Sequence, residues 1–147
     1  MNIEIFPKYR LAYIRKLGKY GSENKDTMEK LKSWAKARQL FNENAIIFGI
    51  AHDNEATTPP ESCRYDACIV IPDDFTVDNT VEEREFEGGK YAAFRIIHTE
   101  EEVQKAYKEI FDLITSGELK MANKPVIENY SMALIENNLC EICVPIS

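Results

Sequence analysis

The chain has 147 residues and carries 18 Lys and Arg against 25 Asp and Glu, a formal net charge of -7. With 44% hydrophobic and 10% aromatic residues it has the means to bury a core, so disorder is excluded as the default state. Its acidity speaks against direct nucleic-acid binding, which needs concentrated Lys and Arg, and no stretch approaches the ~20 apolar residues of a membrane helix. The opening Met1-Asn2-Ile3-Glu4 lacks the basic and apolar regions of a signal peptide, so a cytoplasmic protein is expected. The densest basic group, Lys30, Lys32, Lys36 and Arg38, reads as the solvated face of a helix.

In chain order, Ile3 to Leu17 alternates and is broken by Pro7. This predicts a short lead-in and then a strand from about Tyr9, ended by Gly18 and Gly21. The first helix follows, with Asp26 and Glu29 as a capping-box variant or Ser22 as an earlier cap. Met28, Leu31, Trp34, Ala35 and Phe41 sit at helical spacing. Ala45 to Ile50 reads as a short strand, and His52 to Ser62 as an irregular loop around Pro59-Pro60. Cys63 to Ile71 is the next strand, and Thr80 to Phe86 a polar edge strand. Gly88-Gly89 is predicted to turn tightly into a strand over Lys90 to Ile97.

Thr99 with Glu102 forms a capping box for a second helix, which Gly117 ends. Val103, Ala106, Tyr107, Ile110, Phe111 and Ile114 line one side of it. Val126 to Leu134 and Cys140 to Ile146 close the chain as strands. The order strand, helix, strand, strand thus occurs twice, over Tyr9 to Ile71 and Lys90 to Ile146. Weak echoes accompany it: Ala12-Tyr13 with Ala93-Phe94, and Cys68-Ile69-Val70 with Cys143-Val144-Pro145. The pattern predicts an α+β fold of two βαββ halves about a pseudo-twofold axis, in one domain spanning 1–147. An antiparallel sheet would carry two long helices on one side, with a groove where the halves meet.

No P-loop, dinucleotide fingerprint, G-x-S-x-G or H-E-x-x-H occurs. Cys63, Cys68, Cys140 and Cys143 do not form a zinc or redox set, because members of each pair point to opposite faces of their strands; no metal and no cofactor are expected. His52 and His98 read as solvated residues at element ends, and Arg64 and Asp66 as a pair on an outer face. One carboxylate is out of pattern: Glu128 shares a face with Val126, Tyr130 and Met132. Exposed, it is a surface residue. Buried, it either attracts a cation among aromatic rings or, with a raised pKa, moves protons. Tyr13, Trp34, Tyr65, Tyr91 and Tyr130 are the candidate aromatic walls, although each alone fits ordinary packing.

The blocks Cys63-Arg64-Tyr65-Asp66-Ala67-Cys68-Ile69, Gly88-Gly89-Lys90-Tyr91-Ala92-Ala93-Phe94, Pro125-Val126-Ile127-Glu128-Asn129-Tyr130 and Glu141-Ile142-Cys143-Val144-Pro145-Ile146 occur in this order. Together they resemble the GyrI-like small-molecule-binding family. That family includes the gyrase inhibitory protein and the effector-binding domains of AraC-type and MerR-type multidrug regulators. The resemblance implies a ligand groove at the pseudo-twofold, with Glu128 as the central acid facing cationic aromatic ligands. It also implies two alternatives: a detoxifying hydrolase that opens electrophilic cyclopropane-bearing compounds with Glu128 activating water, or a partner of DNA gyrase. Regulators of the family carry a separate DNA-binding domain; none is expected here, which points to a stand-alone sensing or sequestering protein. The segment Ile110-Phe111-Asp112-Leu113 lacks the Trp that relatives commonly carry near this point.

Overall fold

The computed structural model describes residues 1–147. Its strands are β1 (Asn2–Phe6), β2 (Tyr9–Leu17), β3 (Ile47–Ala51), β4 (Arg64–Ile71), β5 (Glu82–Phe86), β6 (Gly89–Ile97), β7 (Ile127–Asn129) and β8 (Leu139–Pro145). The helices are α1 (Glu23–Ala37), α2 (Glu100–Thr115) and the single turn α3 (Met132–Ile135). All eight strands join one antiparallel sheet in the order β1-β6-β8-β7-β3-β4-β2-β5.

That order is palindromic. Read inward from either edge, it gives a lead-in strand and then the first, third and second strands of one βαββ half. The lead-in strands are exchanged. β1 precedes β2 but pairs with β6, and β5 precedes β6 but pairs with β2. The expected tight turn at Gly88-Gly89 is therefore not a hairpin. It is where the link from β5 to β6 crosses the link from β1 to β2. Gly88 has φ of 77°, and a Cβ there would stand 2.4 Å from the Phe6 carbonyl oxygen, so only glycine fits the crossing.

Each face of the sheet buries a different set of side chains, as strand alternation requires. One face gathers Leu11, Phe48, Ile50, Phe86, Tyr91 and Ile127. The opposite edges of the sheet meet over this cluster: the rings of Phe6 and Phe86 lie 6.2 Å apart between centroids. The sheet is thus curled into a half-barrel with an aromatic interior. Both long helices cover the outer face. α1 packs Met28, Leu31, Trp34 and Ala35 onto Ala12, Ile47, Ala67 and Ile69. α2 packs Ala106 and Ile110 onto Ala92, Phe94, Ile142 and Val144.

The register locates the pseudo-twofold. Arg15 pairs with Asp66 and Tyr13 with Cys68, as Arg95 pairs with Glu141 and Ala93 with Cys143. Tyr13 therefore corresponds to Ala93, one residue off the echo read from sequence. Gly49 opposes Ala67 as Glu128 opposes Ile142, and Gly49 and Glu128 oppose each other across β3 and β7. The axis passes between them.

Two local expectations are corrected. α1 starts at Glu23, so Asp26 lies inside its first turn and forms no capping box with Glu29; Ser22 takes the cap position without a side-chain bond. Val126 to Leu134 is not one strand. The Asn129 side chain accepts a bond from the Ser131 amide (3.0 Å), and this Asx turn diverts the chain into α3. The Thr99 cap forms as expected, accepting from the Glu102 amide at 3.2 Å.

Candidate ligand-binding site

On the outer face, between the start of α1 and the face of α2, lies a groove of about 810 Å³. It exists because the apolar face of α2 is wider than the sheet beneath it. Ala106 and Ile110 are buried, yet Tyr107 is 37% and Phe111 68% exposed. These two, with Ile114 from the same helix and Met121 and Val126 from the connector, form an apolar wall. The facing wall is polar and includes Asn24, His52 and Asp53. The Oδ1 atom of Asn24 is buried there without a hydrogen-bond partner.

Glu128 stands on the floor, beside the pseudo-twofold axis. Its Oε2 accepts a hydrogen bond from the Tyr107 hydroxyl at 2.8 Å, and the Tyr130 hydroxyl is a second neighbour that favours the charged form. Tyr65 lies on the same face, and Gly49 makes the arrangement possible. A Cβ at position 49 would stand 2.7 Å from the Tyr65 hydroxyl and 3.3 Å from Tyr130 Cε2. Burial pushes the Glu128 carboxyl above its usual range, while the Tyr107 bond and the neighbouring Tyr130 hydroxyl work against that rise. Burial, and then the charge of Glu128, push Tyr65, Tyr107 and Tyr130 well above the usual phenol range. All three stay neutral hydrogen-bond donors. A carboxylate so placed offers a cation a charge partner framed by aromatic faces, or offers a bound electrophile a proton acceptor.

The structure brings Glu128, Tyr65 and Tyr130 together and leaves Trp34, Tyr91 and Tyr13 apart. Trp34 lies in the core beneath α1, its Nε1 donating to Asp78 at 3.4 Å and its ring covered by Arg38 at 4.6 Å. Tyr91 and Tyr13 belong to the half-barrel interior. Tyr91 stacks near Phe86, and burial pushes its phenol up to about 12. Tyr13 lies between Arg15 and Arg84, at 5.5 and 5.6 Å from its ring centroid. Tyr107, which completes the site, read from sequence only as part of the apolar side of α2. The one signal for it was an apolar stripe wider than a core-facing helix needs.

The expected outer pair of Arg64 and Asp66 does not form. Arg64 binds Asp53 at 2.9 and 3.0 Å, which lowers the Asp53 carboxyl to about 2. Asp66 is fully buried and accepts two bonds from Arg15 at 2.8 and 2.9 Å and one from His52 at 2.7 Å. His52 is thus a bonded residue rather than a solvated one. The four cysteines are reduced and buried. Cys140 lies on the groove side, where burial and then the charge of Glu128 push its thiol up to about 11, whereas Cys143 faces the half-barrel interior. No group of three or more His, Cys, Asp or Glu is arranged to hold a metal ion, and no helix is long and apolar enough to cross a membrane.

A curled antiparallel sheet with two outer helices and a groove at the junction of its halves defines an α+β small-molecule-binding domain. The chain belongs to the GyrI-like family: the model described as "GyrI-like small molecule binding domain" matches residues 1–147. It is 42% identical over 147 residues to YosT, an SPbeta prophage-derived protein of Bacillus subtilis (strain 168), covering 99% of this chain and 98% of that one. It is 27% identical over 133 residues to DNA gyrase inhibitor 2 of Dickeya dadantii (strain 3937), covering 88% and 83%. Among solved structures it resembles SAV2435 bound to tetraphenylphosphonium, with a TM-score of 0.68 at 15% identity over 99% of this chain and 93% of that one. It also resembles a hydrolase from Listeria innocua, with a TM-score of 0.66 at 13% identity over 99% and 90%.

Proposed function

We propose that the protein binds hydrophobic cationic small molecules in this groove, with Glu128 neutralising the ligand's charge and Tyr65, Tyr107 and Tyr130 framing it. The observation that carries this reading is the half-buried Glu128 carboxylate, ringed by tyrosines and opening into a groove with an apolar wall. The cationic, aromatic ligand held by SAV2435 supports it. A cation about 5 Å from the carboxylate gains about 3 kcal/mol at an effective dielectric of about 20. Aromatic faces add roughly 0.5–2 kcal/mol, and desolvation of both charges removes part of the sum. Glu128→Gln is therefore expected to weaken binding of tetraphenylphosphonium by roughly ten- to a hundredfold. Isothermal titration calorimetry on both proteins tests this, and equal affinity for the two would overturn the reading.

The Tyr107–Glu128 bond also supports a second reading, that of a hydrolase. Glu128, its pKa raised by burial, would take a proton from water as the water oxygen bonds to a strained cyclopropane carbon. The ring C–C bond at that carbon breaks, and its electron pair passes into the electrophilic group conjugated to the ring, which then takes up a proton. Turnover of such a compound by wild type, abolished in Glu128→Gln, would establish it. Binding without product would remove it. The likeness to a gyrase inhibitor makes gyrase a third partner to test, by adding the protein to a supercoiling assay.

A further inference from the structure

At the mouth of the half-barrel, on the far side of the sheet from Glu128, a second cavity of about 360 Å³ is lined by Arg84, His52, Lys124 and Tyr91. Arg84 is unusual within it. Its Nε is buried and has no hydrogen-bond partner. Its Nη1 lies 3.8 Å from Asp66, beyond hydrogen-bond distance, because Arg15 and His52 already occupy both oxygens of that carboxylate. Its guanidinium rests over the Tyr13 ring, which orients the fork and offers it no acceptor. A buried N–H donor without an acceptor is costly, and native structures keep few of them.

The charges around it favour an anion. Asp66 is a single buried carboxylate shared by Arg15, Arg84 and His52. Lys124 adds a further cation to the cavity, held by the Gly88 carbonyl at 3.1 Å. Two carboxylates, Glu85 and Glu87, also line the cavity; both are largely exposed, and they are paired with Lys8 at 3.6 Å and Lys124 at 3.7 Å. Arg15, Arg84, Lys124 and Lys8 thus set four cationic side chains against three carboxylates, Asp66, Glu85 and Glu87, and the Arg84 Nε is left without an acceptor. Guanidinium forks match the paired oxygens of carboxylates and phosphates.

We propose that the mouth of the half-barrel is an oxyanion site, in which Arg84 binds a carboxylate or phosphate group and Lys124 adds a second contact. The site adjoins the groove, sharing His52 and Lys124 with its rim, but Arg84 is not among the groove's lining residues, and the proposal does not depend on the reading of Glu128. The test is a titration of wild-type protein with inorganic phosphate, and separately with acetate, followed by the arginine Nε–Hε resonances in nitrogen-proton correlation spectra. Sodium chloride controls for ionic strength. Arg84→Gln assigns the resonance by its loss.

The Arg84 resonance is expected to move saturably, while those of Arg38 and Arg64, already held by Asp78 and Asp53, stay in place. Lys124→Gln, a change at a partly exposed residue, should weaken the binding roughly fivefold, and Glu128→Gln should leave it unchanged. Saturation with phosphate alone assigns the site to phosphorylated ligands, and saturation with acetate, alone or as well, assigns it to carboxylates. A common linear drift of all arginine resonances, matched by chloride, would overturn the proposal. So would saturation that Lys124→Gln leaves unaltered.

Discussion

Gly49→Ala perturbs the floor of the groove without touching Glu128. The new Cβ would stand 2.7 Å from the Tyr65 hydroxyl and 3.3 Å from Tyr65 Cε1 and Tyr130 Cε2. Ordinary contact begins at about 3.4 Å, so the Tyr65 ring must retreat by about 0.7 Å at its tip. Tyr65 is 3% exposed, and a ring cannot fold away as a lysine tip does. Overpacking of this kind costs about 1–3 kcal/mol, and reduced freedom of the unfolded chain returns about 0.4–1 kcal/mol. The net loss of roughly 0.5–2 kcal/mol corresponds to a fall in Tm of about 1–8 °C for a chain of this size. Differential scanning calorimetry reads the stability, and titration with tetraphenylphosphonium reads the site, where affinity should fall because the displaced ring enters the groove. An unchanged Tm together with unchanged affinity would refute the placement of the two tyrosines over Gly49.

Asp66→Asn removes the one buried charge shared by Arg15, His52 and Arg84, and should cost about 3–5 kcal/mol in urea denaturation. The Asp66 carboxyl is held below its usual range by its bonds from His52 and Arg15, against the opposing effect of burial. Its contribution is therefore present above the unfolded pKa of about 3.9 and lost as pH falls through the folded value. The acid limb of the wild-type stability curve should accordingly flatten in Asp66→Asn. For Glu128 the sign is reversed: its folded pKa is raised, so ionisation destabilises the fold. Glu128→Gln should then gain stability over wild type as pH rises through the raised folded value, and have no such advantage below the ordinary carboxyl range of about 4.5. Tyr107→Phe removes a bond that favours the carboxylate, so the pH midpoint at which cation affinity is lost should move upward in calorimetric titrations. Phe111→Ala, at a largely exposed position, should weaken ligand binding severalfold while shifting Tm by less than about 2 °C.

The two halves and the strand-helix order were legible because alternation, helical spacing and caps are local signals. Glu128 was legible for a similar reason, as an ionisable residue on an apolar face. What was not legible depends on pairings distant in sequence. The exchange of β1 and β5 between halves places Phe6 against Phe86, a contact no window of sequence contains. Strand alternation turns Tyr91 and the partly buried Tyr13 into the half-barrel rather than the groove. Arg64 and Asp66 share a face of one strand, yet each finds its partner elsewhere, Asp53 from the loop after β3 and Arg15 from β2. Trp34 has the spacing of a core residue and is one. Tyr107 has the same spacing but lies beyond the width of sheet that α2 covers, and only the packing distinguishes the two.

The central claim is selection of positive charge by a carboxylate in an aromatic groove. Its most direct test is to titrate the wild-type protein with tetraphenylphosphonium and tetraphenylborate, two ions of nearly the same size and surface but opposite charge. Saturable binding of the phosphonium is predicted, with the borate at least about a hundredfold weaker, and the gap should close in Glu128→Gln. Equal affinity for both ions, or a preference that survives Glu128→Gln, would contradict the account.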